Sequence, residues 1–355
     1  MTNSKGACTV KSEISSIMEL IPDAFEILRR RYRILQYIDF LAPVGRRVLA
    51  QQLDMSERSM RTETDLLKKQ HLVKSNRGGM SLTAEGVQLY HELDPIMKSL
   101  SGESQKEVAL AEHLGIRRAV IIPGDSDRET GVFTHFGHCL TDLLQANLTD
   151  DRDNIIVVLG GTTLKKVADH MRKIPFCEEH NIFVSGRGGI GEKVEVQANT
   201  ISAQMAERVG GDHVSLYVPE SVSQSTYDSL LSEPSIQKAL QLISQSTCVI
   251  HGIGNALHMA ESRGMTGKQI QALIDRGAVA ETFGYFYNSD GEVVYRLPRI
   301  GLQLEDMESI PTIFAVAGGK NKAQVIQSYM NNAPQQTCLL TDEGAANEIL
   351  KGLSL

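Results

Sequence analysis

Apolar positions follow two different rhythms along this chain. Up to about residue 98 they recur at helical spacing. In DAFEILRRRYRILQYIDFL, Phe25, Ile27, Leu28, Ile34, Leu35, Ile38 and Leu41 return every three or four residues, which predicts one long helix. Pro43 and Gly45 end it. The next helix turns Val48, Leu49 and Leu53 inward, and Asp54-Met55 make a tight turn. Ser56 is a good N-cap for a third helix, and Glu57 suits its first turn. Met60, Leu66 and Leu67 fit the buried side of that helix. LVKSNRGGMSLT then predicts a strand, a basic Gly-Gly turn and a second strand, and TAEGVQLYHELDPIM a closing helix capped by Thr83.

From about residue 117 the rhythm changes. RAVIIPG, NIIVVLG, NIFVSGR, VSLYVPE, TCVIHGIG, TIFAVAGG and TCLLTDE are continuous apolar runs, each ending in Gly or a small polar loop and mostly followed by a helical pattern. Such runs alternating with helices predict an α/β domain with a parallel sheet covered on both faces. Ligands of such sheets sit outside the carboxyl ends of the strands. That gathers the loops Gly160–Thr163, Gly186–Gly189, Gly252–Asn255 and Gly318–Lys322 around one crevice. ETFGYFYNSDGEVVYRL predicts a β-hairpin with Asp290-Gly291 in its turn. Between the two regions, SGESQKEVALAEHLGI is a polar start followed by an amphipathic helix, the expected hinge. The predicted organisation is an N-terminal extension (1–24), an α+β winged helix-turn-helix domain (25–98), a linker helix (99–116) and an α/β effector domain (117–355).

Composition refines this picture. A chain of 355 residues is long enough for two or three domains, each with its own core. The formal charge of -7 argues against a general nucleic-acid coat. It is unevenly spread, however: residues 1–98 hold 15 Lys+Arg against 12 Asp+Glu, and the remainder 21 against 31. The first region can therefore approach phosphate. Cys8, Cys139, Cys177, Cys248 and Cys338 are scattered without a Cys-x-x-Cys pair, which suits reduced thiols rather than a disulfide framework or zinc site. No apolar run approaches the ~18 residues of a membrane span, and MTNSKGACTVKSEIS lacks a signal-peptide core. A soluble, cytoplasmic protein is expected.

Two sets of residues carry candidate chemistry. The outer face of the third helix presents Ser56, Arg58, Ser59, Arg61, Thr62 and Asp65. Arginine can grip guanine bidentately, and Ser or Thr can take a base edge or a phosphate oxygen. With Lys74 and Arg77 in the wing and Arg46 and Arg47 in the preceding helix, these are the candidate DNA contacts. A protein-binding three-helix unit with a solvated charged face is the bland alternative. Against it, residues 25–82 carry 12 Lys+Arg and 6 Asp+Glu, with helix-turn-helix spacing and a basic wing. The Arg29-Arg30-Arg31 run touches backbone phosphate or faces water.

The second set lies in the loops. Gly160-Gly161-Thr162-Thr163 follows a strand and opens the helix LKKVADHM. Glycines let backbone N–H groups approach an anion, threonine hydroxyls add donors, and a helix start supplies positive potential. It is neither a Walker loop nor a dinucleotide fingerprint, and tight strand-to-helix turns also use these residues structurally. Arg187 and Lys322 at equivalent loop positions strengthen the anion reading. His138, His251 and His258 lack metal-ligand spacing and are expected in packing or solvent. There is no nucleophile elbow and no Ser/His/Asp set. Glu281 and Asp342 are strand-end carboxylates that suit either general-base work or sugar hydroxyls. No catalytic residue, metal or cofactor is expected.

Taken together, RRYRILQYI, GRRVLAQQLDMSERSMRTE, GGTT, GRGG, QANTISAQMAE, HGIGNA, AETFGYFYNSDGEVV, VAGGKNKA and LLTDEGAA resemble the SorC-type sugar-binding transcriptional regulators, from about residue 15 onward. The resemblance implies an effector domain with the fold of glucosamine-6-phosphate deaminase and ribose-5-phosphate isomerase, without their activity. It implies a repressor of a glycolytic operon that assembles as dimers and tetramers on its operator. The effector would be a phosphorylated sugar, fructose 1,6-bisphosphate being favoured. The implied effector positions are Gly160, Gly161, Thr162, Thr163, Arg187, Gln197, Glu281 and Lys322, with Arg263 for a second phosphate. The alternative is a sugar-phosphate isomerase or deaminase that gained an N-terminal domain. The helix-turn-helix, which an isomerase does not need, argues against it.

Overall fold

The computed structural model describes residues 20–53, 55–76, 78–100, 103–149, 152–174, 180–188, 193–219, 224–297 and 299–352. The chain divides between Lys106 and Glu107 into two compact units. The expectations for Asp54, Arg77, Gly189, Cys8, Cys177 and residues 1–19 lie outside the described residues.

In the first unit, helices α1 (Pro22–Leu41), α2 (Arg46–Gln52) and α3 (Glu57–Lys69) precede β1 (Val73–Asn76), β2 (Gly79–Leu82) and α4 (Ala84–Leu100). The core holds Ile34, Leu35, Ile38, Leu49, Met60 and Leu67, with Tyr32 stacked on Tyr90 at 5.6 Å. Two sequence expectations fail here. Val48 is exposed, and Ala50 is buried in its helix instead. Ile27 and Leu28 are also exposed, so the apolar stripe of α1 is buried only in its second half.

The wing is an antiparallel pair with Val73 opposite Leu82. Val44 adds a third rung the sequence did not suggest, exchanging both backbone hydrogen bonds with Met80. Gly79 makes this approach possible. Its φ is +138°, and a Cβ there would stand 2.7 Å from the Val44 nitrogen.

The second unit begins within α5 (Glu103–Leu114). Its seven-stranded sheet comprises β3 (Arg118–Ile122), β4 (Asn154–Val158), β5 (Asn181–Ser185), β6 (Asp212–Val214), β7 (Cys248–Gly252), β12 (Thr312–Val316) and β13 (Thr337–Asp342). Helices α6 (Val132–Gln145), α7 (Thr162–Ala168), α8 (Ala198–Val209), α9 (Gln224–Leu231) and α10 (Pro234–Ser244) connect the strands from β3 to β7. The strand order is β3-β13-β12-β7-β4-β5-β6 and every pairing is parallel. β4 and β13 are buried along their whole length, as strands covered on both faces should be. VSLYVPE is a correction: the edge strand is Asp212–Val214, and residues 215–218 leave the sheet. From β4 the chain runs outward through β5 and β6, then returns to pair β7 on the other side of β4. The loops after β4 and β7 thus flank a point where the strand order reverses, the usual place for a ligand crevice.

Between β7 and β12 the chain builds a smaller layer. β8 (Gly254–Asn255), β9 (Ala280–Thr282), β10 (Tyr285–Tyr287) and β11 (Val293–Arg296) form an antiparallel sheet of order β11-β10-β9-β8. It packs with α11 (Ala256–Ser262) and α12 (Gly267–Asp275). Ala256, Ala260, Leu273 and Phe286 form its core. The expected hairpin is therefore only half of a meander. A second reversal at Phe283 (φ 34°) and Gly284 (φ 86°) was missed, because the local pattern ETFGYF contains no Asn-Gly or Asp-Gly signal.

Candidate functional site

On α3 the turn chemistry is as expected: the Ser56 side chain accepts from the Ser59 N–H at 3.2 Å. Ser56, Arg58, Arg61 and Thr62 are exposed or nearly so, and Ser59 is half-buried. Two hydroxyls are already committed, since Ser56 caps the helix and Thr62 donates to the Arg58 carbonyl at 3.1 Å. Arg58 and Arg61 have no ion pair among the described residues. Arg46 approaches Asp65, and Arg47 approaches Glu57, both at 3.9 Å and in solvent, where such pairs contribute little. Lys74 is exposed on β1, and Asn76 organises the wing turn by accepting from Gly78 and Gly79.

Within the Arg29-Arg30-Arg31 run, Arg29 faces water, one of the two expectations, whereas Arg30 and Arg31 take a partner on α3. Glu63 is buried on the inner side of α3, and it holds Arg30 at 2.7 Å and Arg31 at 2.9 Å. These two arginines fasten α1 to α3.

In the second unit one cavity of about 230 Å³ opens at the carboxyl ends of the central strands. Gly160, Gly161, Thr162, Thr163, Arg187, Arg263, Glu281 and Lys322 line it, as do Asn255, His258, Met259, Thr282 and Phe283. Residues from the loops after β4, β5, β7 and β12 thus meet the smaller sheet across one space. Gln197 does not line it. It sits half-buried at the start of α8, with its neighbour Val196 accepting from the Gly161 N–H at 2.9 Å.

The geometry puts cations against glycine. A Cβ on Gly160 would stand 3.0 Å from Arg187 Nη2 and 2.6 Å from the Val196 carbonyl, so only glycine admits both. Arg187 itself is buried and bridged by backbone to Gly301. Lys322 follows a turn of 3-10 helix, and its Nζ donates to Thr163 Oγ1 and the Ile253 carbonyl, both at 3.2 Å. Burial lowers its pKa, and Asp127 and Asp342 oppose that shift. At the far wall Arg263 Nη2 donates to Glu281 Oε1 at 2.9 Å, and the two side chains are 4% and 3% exposed. The Gly284 N–H donates to the same Glu281 oxygen at 2.5 Å.

The other sequence candidates separate cleanly. Glu281 lies inside β9 of the small sheet rather than at the end of a parallel strand. Asp342 does end β13, but it is spent on structure: Oδ2 accepts from Ser126 and Gly319, and Oδ1 from Ala345. Burial raises its pKa against those hydrogen bonds. His251 is fully buried, with Nε2 3.2 Å from the Tyr329 hydroxyl and Nδ1 3.2 Å from Thr282 Oγ1. Burial pulls its pKa down to about 4, so it is a neutral packing residue. His258 stands exposed at the cavity rim, with its backbone N–H on the Asn255 cap. Among the described residues no cluster of three His, Cys, Asp or Glu could hold a metal ion, and no helix is long and apolar enough to cross a membrane.

The residue that sequence reading missed entirely is Arg299. It is 8% exposed, and its guanidinium stands 5.7 Å from the Phe283 ring and 5.9 Å from that of Tyr285. PRIGLQL offers no local motif that marks it.

A winged helix-turn-helix followed in sequence by a parallel-sheet domain with a cationic, hydroxyl-lined cavity defines a ligand-responsive DNA-binding regulator. The family comparisons agree. The CggR N-terminal DNA binding domain matches residues 27–97, and a sugar-binding domain family (Sugar-bind) matches residues 98–351. The chain is 40% identical to the central glycolytic genes regulator of Bacillus subtilis over 95% of this chain and 98% of that one. It is 39% identical to the regulator of that name from Priestia megaterium over 96% and 99%. A solved SorC family transcriptional regulator from Enterococcus faecalis is 51% identical, covering 70% of this chain and 100% of its own, with a TM-score of 0.67. The full-length sorbitol operon regulator SorC of Klebsiella pneumoniae shares the fold over 91% of this chain and 98% of its own, with a TM-score of 0.63 at 15% identity. The chain belongs to the SorC-type sugar-binding transcriptional regulators. It is a sugar-responsive transcriptional repressor that joins a DNA-binding domain to a sugar-binding domain.

Proposed function

We propose that this repressor controls glycolytic genes and is released from its operator by a phosphorylated sugar, fructose 1,6-bisphosphate being the favoured effector. One observation carries the reading: Arg187, Arg263 and Lys322 converge on a single cavity that contains one buried carboxylate, Glu281. Three cations around one carboxylate give the cavity a positive field that an anionic ligand complements. One phosphate fits the Thr162–Thr163 end, where Arg187 and Lys322 already touch the loop. A bidentate arginine and a helix start are suited to that group. The sugar hydroxyls and second phosphate fit the Arg263–Glu281 end. The names of the Bacillus and Priestia relatives support the glycolytic assignment.

On DNA, Arg58 and Arg61 read base edges, while Arg46, Arg47, Ser59 and Lys74 hold phosphate. Homo-oligomers on operator half-sites supply cooperativity, and effector binding shifts the arrangement through its different affinity for the two states. No turnover is expected, since Asp342 is engaged by three backbone donors and Glu281 by Arg263 and Gly284.

The test is titration calorimetry with fructose 1,6-bisphosphate and its monophosphates, beside operator gel shifts. Arg187→Lys should lose affinity by about tenfold or more, because lysine does not replace a bidentate pair. It should still bind operator and no longer respond to the sugar. Unchanged affinity in both Thr163→Ala and Arg187→Ala would move the site elsewhere.

A further inference from the structure

Arg299 lies just behind the wall of the cavity, and all three of its guanidinium nitrogens are buried without a hydrogen-bond partner among the described residues. It presses on the Phe283–Gly284 reversal so closely that a Cβ at Gly284 would stand 2.9 Å from its Cζ. Burial lowers its pKa to about 9, with Glu281 opposing the shift and Arg187 and Arg263 adding to it. It is therefore a cation at neutral pH. A buried cation with no anion of its own is among the costlier arrangements a fold can hold. Glu281, the carboxylate whose charge acts on it, is already occupied by Arg263 and by the Gly284 N–H. Two arginines thus stand around one carboxylate, and Arg263 is the one bonded to it.

We propose that Arg299 is the reserve partner of Glu281: when an anionic group of the ligand draws Arg263 into the cavity, Arg299 takes over the carboxylate, and the exchange makes the site prefer small molecules with two anionic groups over those with one. Arg299 does not line the cavity, so it acts through Glu281 as a positioning residue. A ligand with a single phosphate, seated at the Thr162–Thr163 end, leaves the Arg263–Glu281 pair intact and gains nothing from Arg299. A ligand with a second phosphate recruits Arg263 without stranding Glu281, because the replacement cation is already in place. The inference rests on the phosphorylated-sugar reading of the cavity and adds what sets the number of anionic groups.

The experiment uses the full chain and compares wild type with Arg299→Met and Arg299→Lys. Calorimetry measures affinity for fructose 1,6-bisphosphate and fructose 6-phosphate, and thermal unfolding is followed without ligand. Arg299→Met should unfold at the same or a higher temperature than wild type, since it removes an unpartnered buried charge. Its bisphosphate affinity should fall about tenfold while its monophosphate affinity holds. Arg299→Lys keeps the charge without the fork and should show a reduced bisphosphate preference, and it decides the case if the methionine protein does not fold. Equal weakening of both ligands together with a lower unfolding temperature would mark a merely structural residue and overturn the proposal. So would a bisphosphate preference unchanged in both variants. A wild-type protein that binds neither sugar phosphate overturns the cavity reading itself, and this inference with it.

Discussion

Arg58 and Arg61 on α3 stand in water with no ion pair among the described residues. Arg187 and Arg299 in the second unit are 4% and 8% exposed, and the Arg263 side chain is 4% exposed. The same residue type meets opposite physics in the two places. In water an idle guanidinium costs almost nothing, so the helix can hold its cations without a partner in the fold. Out of water each guanidinium has to be balanced, so the cavity wall and the turn behind it hold three only by spending Glu281, two aromatic rings and a close backbone approach on them. Mutations should therefore separate the two regions. Changes to cavity charges should show in folding stability as well as in ligand affinity, and changes to the helix face in DNA affinity alone.

The largest effect is expected at Glu281. Glu281→Ala removes the carboxylate that Arg263 holds at 2.9 Å and that acts on Arg299, and removing one partner of a buried pair costs about 3–5 kcal/mol. Urea unfolding should show that loss. A change under about 1 kcal/mol would mean that the cavity cations are not electrostatically buried. Next comes a pH effect at His251. Its folded pKa of about 4 lies below the ordinary 6.5, so the unfolded chain takes up the proton first as pH falls. Stability from this group is complete above pH 6.5, declines between 6.5 and 4, and falls no further below that. The decline amounts to about 3 kcal/mol. Unfolding curves of wild type and His251→Gln at a series of pH values should diverge in that window and nowhere else.

The comparison sharpens inside the first unit. Arg30 and Arg31 look like Arg58 and Arg61 in sequence, yet they neutralise the buried Glu63. The double change Arg30→Ala/Arg31→Ala should cost about 2 kcal/mol of stability in that unit, measured by thermal or urea unfolding. The smallest effect on folding belongs to Arg58→Ala and Arg61→Ala. Each should stay within about 0.5 kcal/mol in stability and cost about 1–3 kcal/mol in operator affinity by gel shift. If the double Arg58/Arg61 variant bound operator like wild type, the recognition face would lie elsewhere.

These arginines also show what the sequence makes legible. Ser56 as cap, the exposed Ser56–Thr62 face and the wing turn are set by neighbours within a few residues, and all are readable from spacing. So are the continuous apolar strands and the glycine loop at residues 160–163. What escaped is long-range. Val44 joins the wing at Met80, far along the chain from it. The edge strand takes Asp212–Val214 because β5 pairs there, against the stronger β pattern of VSLYV. The partners of Arg30, Arg31 and Arg299 depend on which helix or turn arrives alongside, and no local pattern encodes that. Gln197 came from the resemblance alone, and the folded chain puts it half-buried at the start of α8, beside the glycine loop.

The two ends of the cavity also differ in readiness, which adds a difference in time to the difference in affinity. Lys322 is already half-buried and tied to Thr163 and Ile253 across two loops. A phosphate arriving there exchanges neutral acceptors for a charged one with little rearrangement. At the other end, on the proposed exchange, Arg263 has first to leave Glu281, to which it is bonded at 2.9 Å. Stopped-flow mixing should therefore resolve an early phase whose rate rises linearly with ligand concentration, followed for doubly phosphorylated sugars by a slower phase that saturates. The repressor would register the arrival of a sugar phosphate before it discriminates which one has come.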